Sequence, residues 1–199
     1  MTTVLAGLAL GFAVAAGFGP ISVLALTSGL RHGFFPAFGV GLGAALVDGL
    51  YALLAAAGLA ALVPGDGLQL VGGAALLWIG WKMVRAGGGD GLALQTFRRG
   101  LGVSFAATLA NPLTIVSWAA AFTAVVPGLG LGRAETLTVL PLSVALGTLS
   151  YFTLLATAAT VAGRRLGPRA LRAVSTVAGV AIGAFGLVFL VRGAAAVLG

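Results

Sequence analysis

The sequence predicts an all-α, polytopic membrane fold, and three observations carry that prediction. Hydrophobic residues occupy 60% of 199 positions against 8% charged, with a mean hydropathy of +1.15; so little polar surface cannot coat a water-soluble globule of this size. Six stretches are free or nearly free of charge and long enough to span, since about 20 apolar residues cross the hydrocarbon core. The 33 glycines, with many alanines, suit close helix packing in lipid, whereas disordered chains are polar and charged.

The spans read as roughly residues 3–28, 36–62, 67–86, 100–126, 136–162 and 173–196. The first lacks a basic n-region and outruns the apolar core of a secretory signal, so it is expected to stay in the mature protein. Its middle, AAGFGPISVLAL (15–26), sets Gly19 and Pro20 inside the apolar run. Proline has no N–H and its ring clashes with the preceding turn, so it kinks or breaks a helix and strands backbone groups. In lipid those groups must face protein, a polar side chain or a water-lined cavity. The second span holds Asp48 within VGLGAALVDGLYALLAAAG (40–58). Trp78, Trp81 and Lys82 close the third and read as an interfacial belt. The fourth repeats the interruption at ANPL (110–113), where Asn111 before Pro112 offers a helix cap and a polar side chain. The fifth carries Thr148, Ser150 and Tyr151.

One membrane domain, residues 1–199, is expected, dividing near the loop RAGGGDGLALQTFRR (85–99) into halves 1–95 and 96–199. Each half runs broken span, full span, full span. Three spans per half make the second copy enter from the opposite side, an inverted repeat of the kind transporters use, in which broken helices meet near the midplane. The residue-level similarity is weak: LVDGLYALLAAAG (46–58) lies on TLSYFTLLATAAT (148–160) without a unique register, and six apolar helices also look alike by composition alone.

Arg31, Lys82, Arg85, Arg98, Arg99, Arg164, Arg165, Arg169 and Arg172 flank the odd-numbered connections, and Arg133 and Arg192 the other face. The positive-inside rule then puts both termini outside the cytoplasm. These arginines sit at span ends without interleaved aromatics, so nucleic acid is not an expected partner. The chain has no cysteine, which excludes disulfides, dithiol redox chemistry and thiolate metal sites, and His32 is the only histidine. No cofactor and no resident metal are expected.

Asp48 is the sharpest signal, because it is the only charged residue between His32 and Asp66. A charge at that depth costs at least about 2.5 kcal/mol on insertion scales, so its default reading is functional: binding a proton or a substrate ammonium. A carboxyl kept neutral for packing is the plain alternative. Asp66, Asp90 and Glu135 fall in connections, where solvent holds them. A helix restarted after a break presents unpaired N–H groups and a positive dipole end, a site for a carboxylate. Substrate contacts are therefore placed at Gly19, Pro20, Asp48, Asn111 and Pro112, with ordinary proline kinks as the alternative. Ser22, Tyr51, Thr148, Ser150, Tyr151 and Trp118 are secondary candidates, since such groups also bond their own helices or simply pack.

GPISVLALTSGLRHGFFPAFGVGLGAALVDGLYALLAAAGLAAL (19–62) resembles the opening of the LysE/RhtB family of bacterial amino-acid exporters: a glycine-proline in the first helix, a GLRHG turn, and an aspartate in a glycine-rich second helix. FRRGLGVSFAATLANPLTIVSWAAAF (97–122) is similar to its second signature. The resemblance implies a six-helix exporter of amino acids or related small zwitterions in a bacterial inner membrane, with Pro20, Asp48, Asn111 and Pro112 at the motif positions. Leu113 departs from the lysine that often follows asparagine-proline in the family. The expected function is proton-coupled export by alternating access. An exporter of a cation or divalent metal on the same fold, and a non-transporting scaffold, are the rivals. Besides lipid and a zwitterionic substrate, a second copy in a homodimer is compatible with so slim a bundle.

Overall fold

A computed structural model describes residues 1–17, 19–58, 65–86 and 94–198, and every regular element among them is helical. Helix α1 (Thr2–Ala16) ends at Gly17, and α2 (Pro20–His32) restarts with Gly19 as an extended N-cap and proline at the first helical position. Proline suits that position because the missing N–H would be unpaired there anyway. The two helices meet at 81°. Gly33, at φ +88°, ends α2 and begins α3 (Phe34–Ala56). No side chain adopts that conformation cheaply, so the turn of GLRHG needs glycine there. Arg31 and His32 lie in the last turn of α2, where cations complement the helix dipole.

Helix α4 (Gly65–Arg85) follows, then α5 (Phe97–Leu109), capped by Thr96, whose hydroxyl accepts from the Arg99 N–H. The chain breaks again at Ala110–Asn111 before α6 (Pro112–Val125), which tightens into a 3-10 turn at Val126–Leu129. Short α7 (Arg133–Leu137), α8 (Val139–Gly163) and α9 (Pro168–Leu198) complete the order. Both interruptions read from the prolines therefore fall where expected. By length and hydropathy, three stretches among the described residues can each cross a membrane, Phe34–Ala56, Arg133–Gly163 and Pro168–Ala195, and the bent pair α1 and α2 passes as a fourth.

Exposure is distributed as in a membrane protein. Leu46, Leu50, Leu142, Leu146, Val177 and Val180 are exposed, while Ser22, Asp48, Ser104, Thr108, Asn111 and Thr148 are buried. Polar groups turned inward and leucines outward reverse the soluble pattern and suit a hydrocarbon solvent. The protein is a multi-pass membrane protein. Lys82 Nζ lies 4.5 Å over the Trp78 ring, and the Arg85 guanidinium 4.5 Å over Trp81, both rings half-exposed.

Three interfaces organise the bundle. Helix α1 packs on α8, α5 packs on α3, and α4 pairs with α9. Glycine permits each approach. A methyl on Gly11 would overlap the Val144 carbonyl, one on Gly147 the Leu8 carbonyl, one on Gly43 the Leu101 carbonyl and one on Gly100 the Pro36 carbonyl. Gly80 likewise meets Gly179 and Gly183 where α4 crosses α9. Helices α3 and α8 face each other across the centre and carry Asp48 and Thr148.

Candidate functional site

Asp48 lies midway along α3 and is 5% exposed. Each carboxylate oxygen has its own donor. The Trp118 indole N–H, from α6, donates to Oδ1 at 3.0 Å, and the Thr148 hydroxyl, from α8, to Oδ2 at 2.8 Å. Bonds to an ionised acceptor are about twice as strong as neutral ones, so this pair lowers the cost of the buried carboxylate.

Thr148 is exceptional on its helix. Ser143, Ser150, Thr153, Thr157 and Thr160 all return their hydroxyls to the carbonyl four residues back, at 2.7–2.8 Å. That is the habit of such residues in apolar helices. Thr148 instead points across to Asp48, with the Gly11 carbonyl at 3.3 Å as a second neighbour.

In front of Asp48 is a cavity of about 80 Å³, with room for a few waters at roughly 30 Å³ each. Gly19 and Pro20 line it from the first break, Asn111 from the second, and Ser22, Thr108, Thr114 and Ser117 add polar groups. Among the described residues no lysine, arginine or histidine lines it. The N-cap of α2 has no side-chain partner for the first-turn N–H groups, which point toward the break. The Thr108 hydroxyl is buried without a hydrogen bond among the described residues. One wall thus carries an acid, and another the positive end of a helix. That arrangement complements a small molecule bearing one charge of each sign.

Of the sequence-derived residues, Gly19, Pro20, Ser22, Asp48 and Asn111 line the cavity, and Trp118 and Thr148 hold Asp48 from behind. Pro112 opens α6 immediately after Asn111; its side chain, like that of Leu113, lies outside the described residues. Tyr51 does not reach the cavity: its hydroxyl donates to the Leu109 carbonyl at 2.5 Å, satisfying a group left at the end of α5 by the break. Ser150 and Tyr151 are also elsewhere. Ser150 is two residues, about 200°, around α8 from Thr148 and bonds its own helix. Tyr151 stacks edge-on with Phe12 and Phe152. Glu135 is not merely solvated, since it accepts from the Thr3 hydroxyl at 3.0 Å. Asp90 lies outside the described residues, as does the Asp66 side chain.

Thr108, Thr114 and Ser117 also line the cavity; from sequence they read only as neutral groups that could hydrogen-bond substrate but more often bond a helix. Their signal was periodic: Ser104, Thr108, Asn111, Thr114 and Ser117 recur every three or four positions in an otherwise apolar run. Among the described residues no group of three or more His, Cys, Asp or Glu could hold a metal.

The chain is 26% identical, over 213 aligned positions covering all of both chains, to "Putative amino acid efflux protein YcgF" of Bacillus subtilis (strain 168). It is 35% identical over 124 positions to "Chemotactic transduction protein ChpE" of Pseudomonas aeruginosa, an alignment covering 58% of this chain and 61% of that one. No solved structure matches it significantly. The family model of the LysE type translocator matches residues 12–193, nearly the whole bundle including both breaks and Asp48. The chain belongs to the LysE-type translocator family, whose members are membrane transporters and not enzymes.

Proposed function

We propose that this transporter exports amino acids or related small zwitterions across a bacterial inner membrane, coupled to protons and working by alternating access. The observation that carries the reading is the single acid facing two helix breaks across one cavity. The substrate ammonium sits against Asp48, and its carboxylate meets the N–H groups that open α2. Similarity to a protein named for amino acid efflux supports the substrate class.

The chain crosses six times, as two inverted halves (1–95 and 96–199) of one membrane domain, with both termini outside the cytoplasm. Two swapped contacts support the inversion: α1 of the first half lies on α8 of the second, and α5 of the second on α3 of the first. Asp48 belongs to the first half, whereas both its donors, Trp118 and Thr148, belong to the second. The acid therefore ties the halves together, and a proton or an ammonium on it changes how firmly they are joined. Rocking of one half against the other follows from that exchange.

The test is an efflux assay in proteoliposomes with an imposed pH gradient and a panel of amino acids, their amine and acid analogues, and divalent metals. Efflux of zwitterions that depends on the gradient is expected. Transport of the metals alone, or of nothing, overturns the reading.

A further inference from the structure

The Asp48 cavity is not the largest space in the molecule. A second chamber of about 670 Å³ opens where α3 and α6 end, lined by Ala55, Phe122, Thr123, Val126, Leu131 and Thr136 among others. The two spaces lie at successive levels of the same two helices. On α3, Asp48 faces the first and Ala55 the second; on α6, Thr114 and Ser117 face the first, and Phe122 and Thr123 the second. At 1.5 Å per residue the middles of the two linings are about 10 Å apart along the helices, and on α6 they come nearest at Ser117 and Ala119.

Along α6, Trp118 lies between Ser117, of the first lining, and Ala119, of the second. It is the largest fully buried side chain among the described residues, 1% exposed, and packs with Val47, Tyr51, Phe122, Leu140 and Val144. Its ring meets Phe122 edge-on at 6.3 Å. An apolar aromatic layer of this kind stops a charged substrate, which would have to shed its hydration to pass. The layer is also wired to the acid, because the Trp118 N–H is donated to Asp48 Oδ1. Helix α6 begins afresh at Pro112, so the segment that carries the ring pivots at a break instead of inside a continuous rod.

We propose that Trp118 is the gate between the Asp48 cavity and the outer chamber, and that Asp48 is its latch. Resting on the reading of Asp48 as the ammonium site, the mechanism is competition: an ammonium drawn to Asp48 takes over the charge that holds the indole, the ring swings toward the chamber, and the route opens. The chamber is then the exit vestibule, and substrate arrival itself unlocks the way out.

The chain contains no cysteine, so single cysteines report without background. In reconstituted full-length protein, Thr123→Cys is labelled by a charged, membrane-impermeant methanethiosulfonate from one side, which defines the chamber side. From that side Ser117→Cys is expected to react at least about tenfold more slowly. Adding Trp118→Ala should remove that protection. Trp118→Phe, which keeps a ring but has no N–H to donate, and Asp48→Asn should each raise labelling of Ser117→Cys by about tenfold, the worth of one charge-assisted hydrogen bond. Ser117→Cys labelling that is unchanged by Trp118→Phe and Asp48→Asn overturns the latch. Labelling as fast as that of Thr123→Cys with Trp118 intact overturns the gate. If Trp118→Ala fails to reach the membrane, Trp118→Phe alone decides. These readouts need no substrate, so the gate can stand where the transport assay fails, and fall where it succeeds.

Discussion

The two helix breaks occupy matching places in the two halves but are built from different chemistry. At the first, three residues separate α1 from α2, the chain turns through 81°, and the lining from Gly17 and Gly19 is backbone. Both turns keep backbone hydrogen bonds: Gly17 N–H to the Val14 carbonyl and Val23 N–H to the Gly19 carbonyl, both at 3.2 Å, at the first, and Asn111 N–H to the Thr108 carbonyl and Thr114 N–H to the Asn111 carbonyl, both at 3.1 Å, at the second. What the second adds to the cavity is side chains: Thr108, Asn111, Thr114 and Ser117. The first break therefore offers mainly backbone groups, an anion site that any carboxylate satisfies, with Ser22 adding a hydroxyl, and the second a larger set of hydroxyl and amide groups that can discriminate. Breaks alike in position need not be alike in function.

Five substitutions test that distinction, beginning with the acid that both breaks surround. Asp48→Asn is expected to reduce efflux to the level of empty vesicles while leaving the protein folded and membrane-inserted; residual gradient-driven efflux removes Asp48 from the mechanism. Asn111→Ala should come next, lowering efflux by one to two orders of magnitude, about the worth of a hydrogen bond to a charged group. Its counterpart Gly19→Ala should stay within about twofold. Among the described residues an added methyl there meets only the Gly17 carbonyl, at 3.6 Å, and φ −129° is open to alanine. Equal sensitivity at the two positions would erase the contrast between backbone and side-chain breaks. Thr148→Val should lower efflux about tenfold by leaving Asp48 Oδ2 without its donor. Ser150→Ala, on the opposite side of the same helix, should change efflux by less than about twofold, because only a bond within α8 is lost. Efflux assays on the same reconstituted preparations check all of these.

Both breaks and the depth of Asp48 were legible because they depend on local facts: proline cannot continue a helix, and a charge far from either end of an apolar run must lie deep. Contacts between distant segments were not legible. Trp118 reads as packing from sequence, since nothing local shows that its N–H meets an acid 70 positions earlier. Thr148 and Ser150 are equally polar and nearly adjacent, and only the rotation of α8 against α3 decides which one reaches Asp48. Tyr51, a polar group on the same helix as Asp48, reads from sequence as a secondary substrate contact. The carbonyl stranded at Leu109 claims its hydroxyl instead, a consequence of the break that needs three dimensions to see. The stripe from Ser104 to Ser117 was readable by period, but hydroxyls in apolar helices so often serve their own backbone that the period alone does not mark a cavity.

The most direct measurement of the central claim, that Asp48 receives the ammonium of a substrate held between the breaks, is a double-mutant cycle on binding. Affinity is measured for an exported amino acid and for its analogue lacking the amino group, each against the native protein and Asp48→Asn. Removing the ammonium is expected to weaken binding to the native protein at least about tenfold and to Asp48→Asn less than about twofold. An equal loss in both proteins would show that the ammonium is recognised elsewhere and would remove Asp48 as its partner.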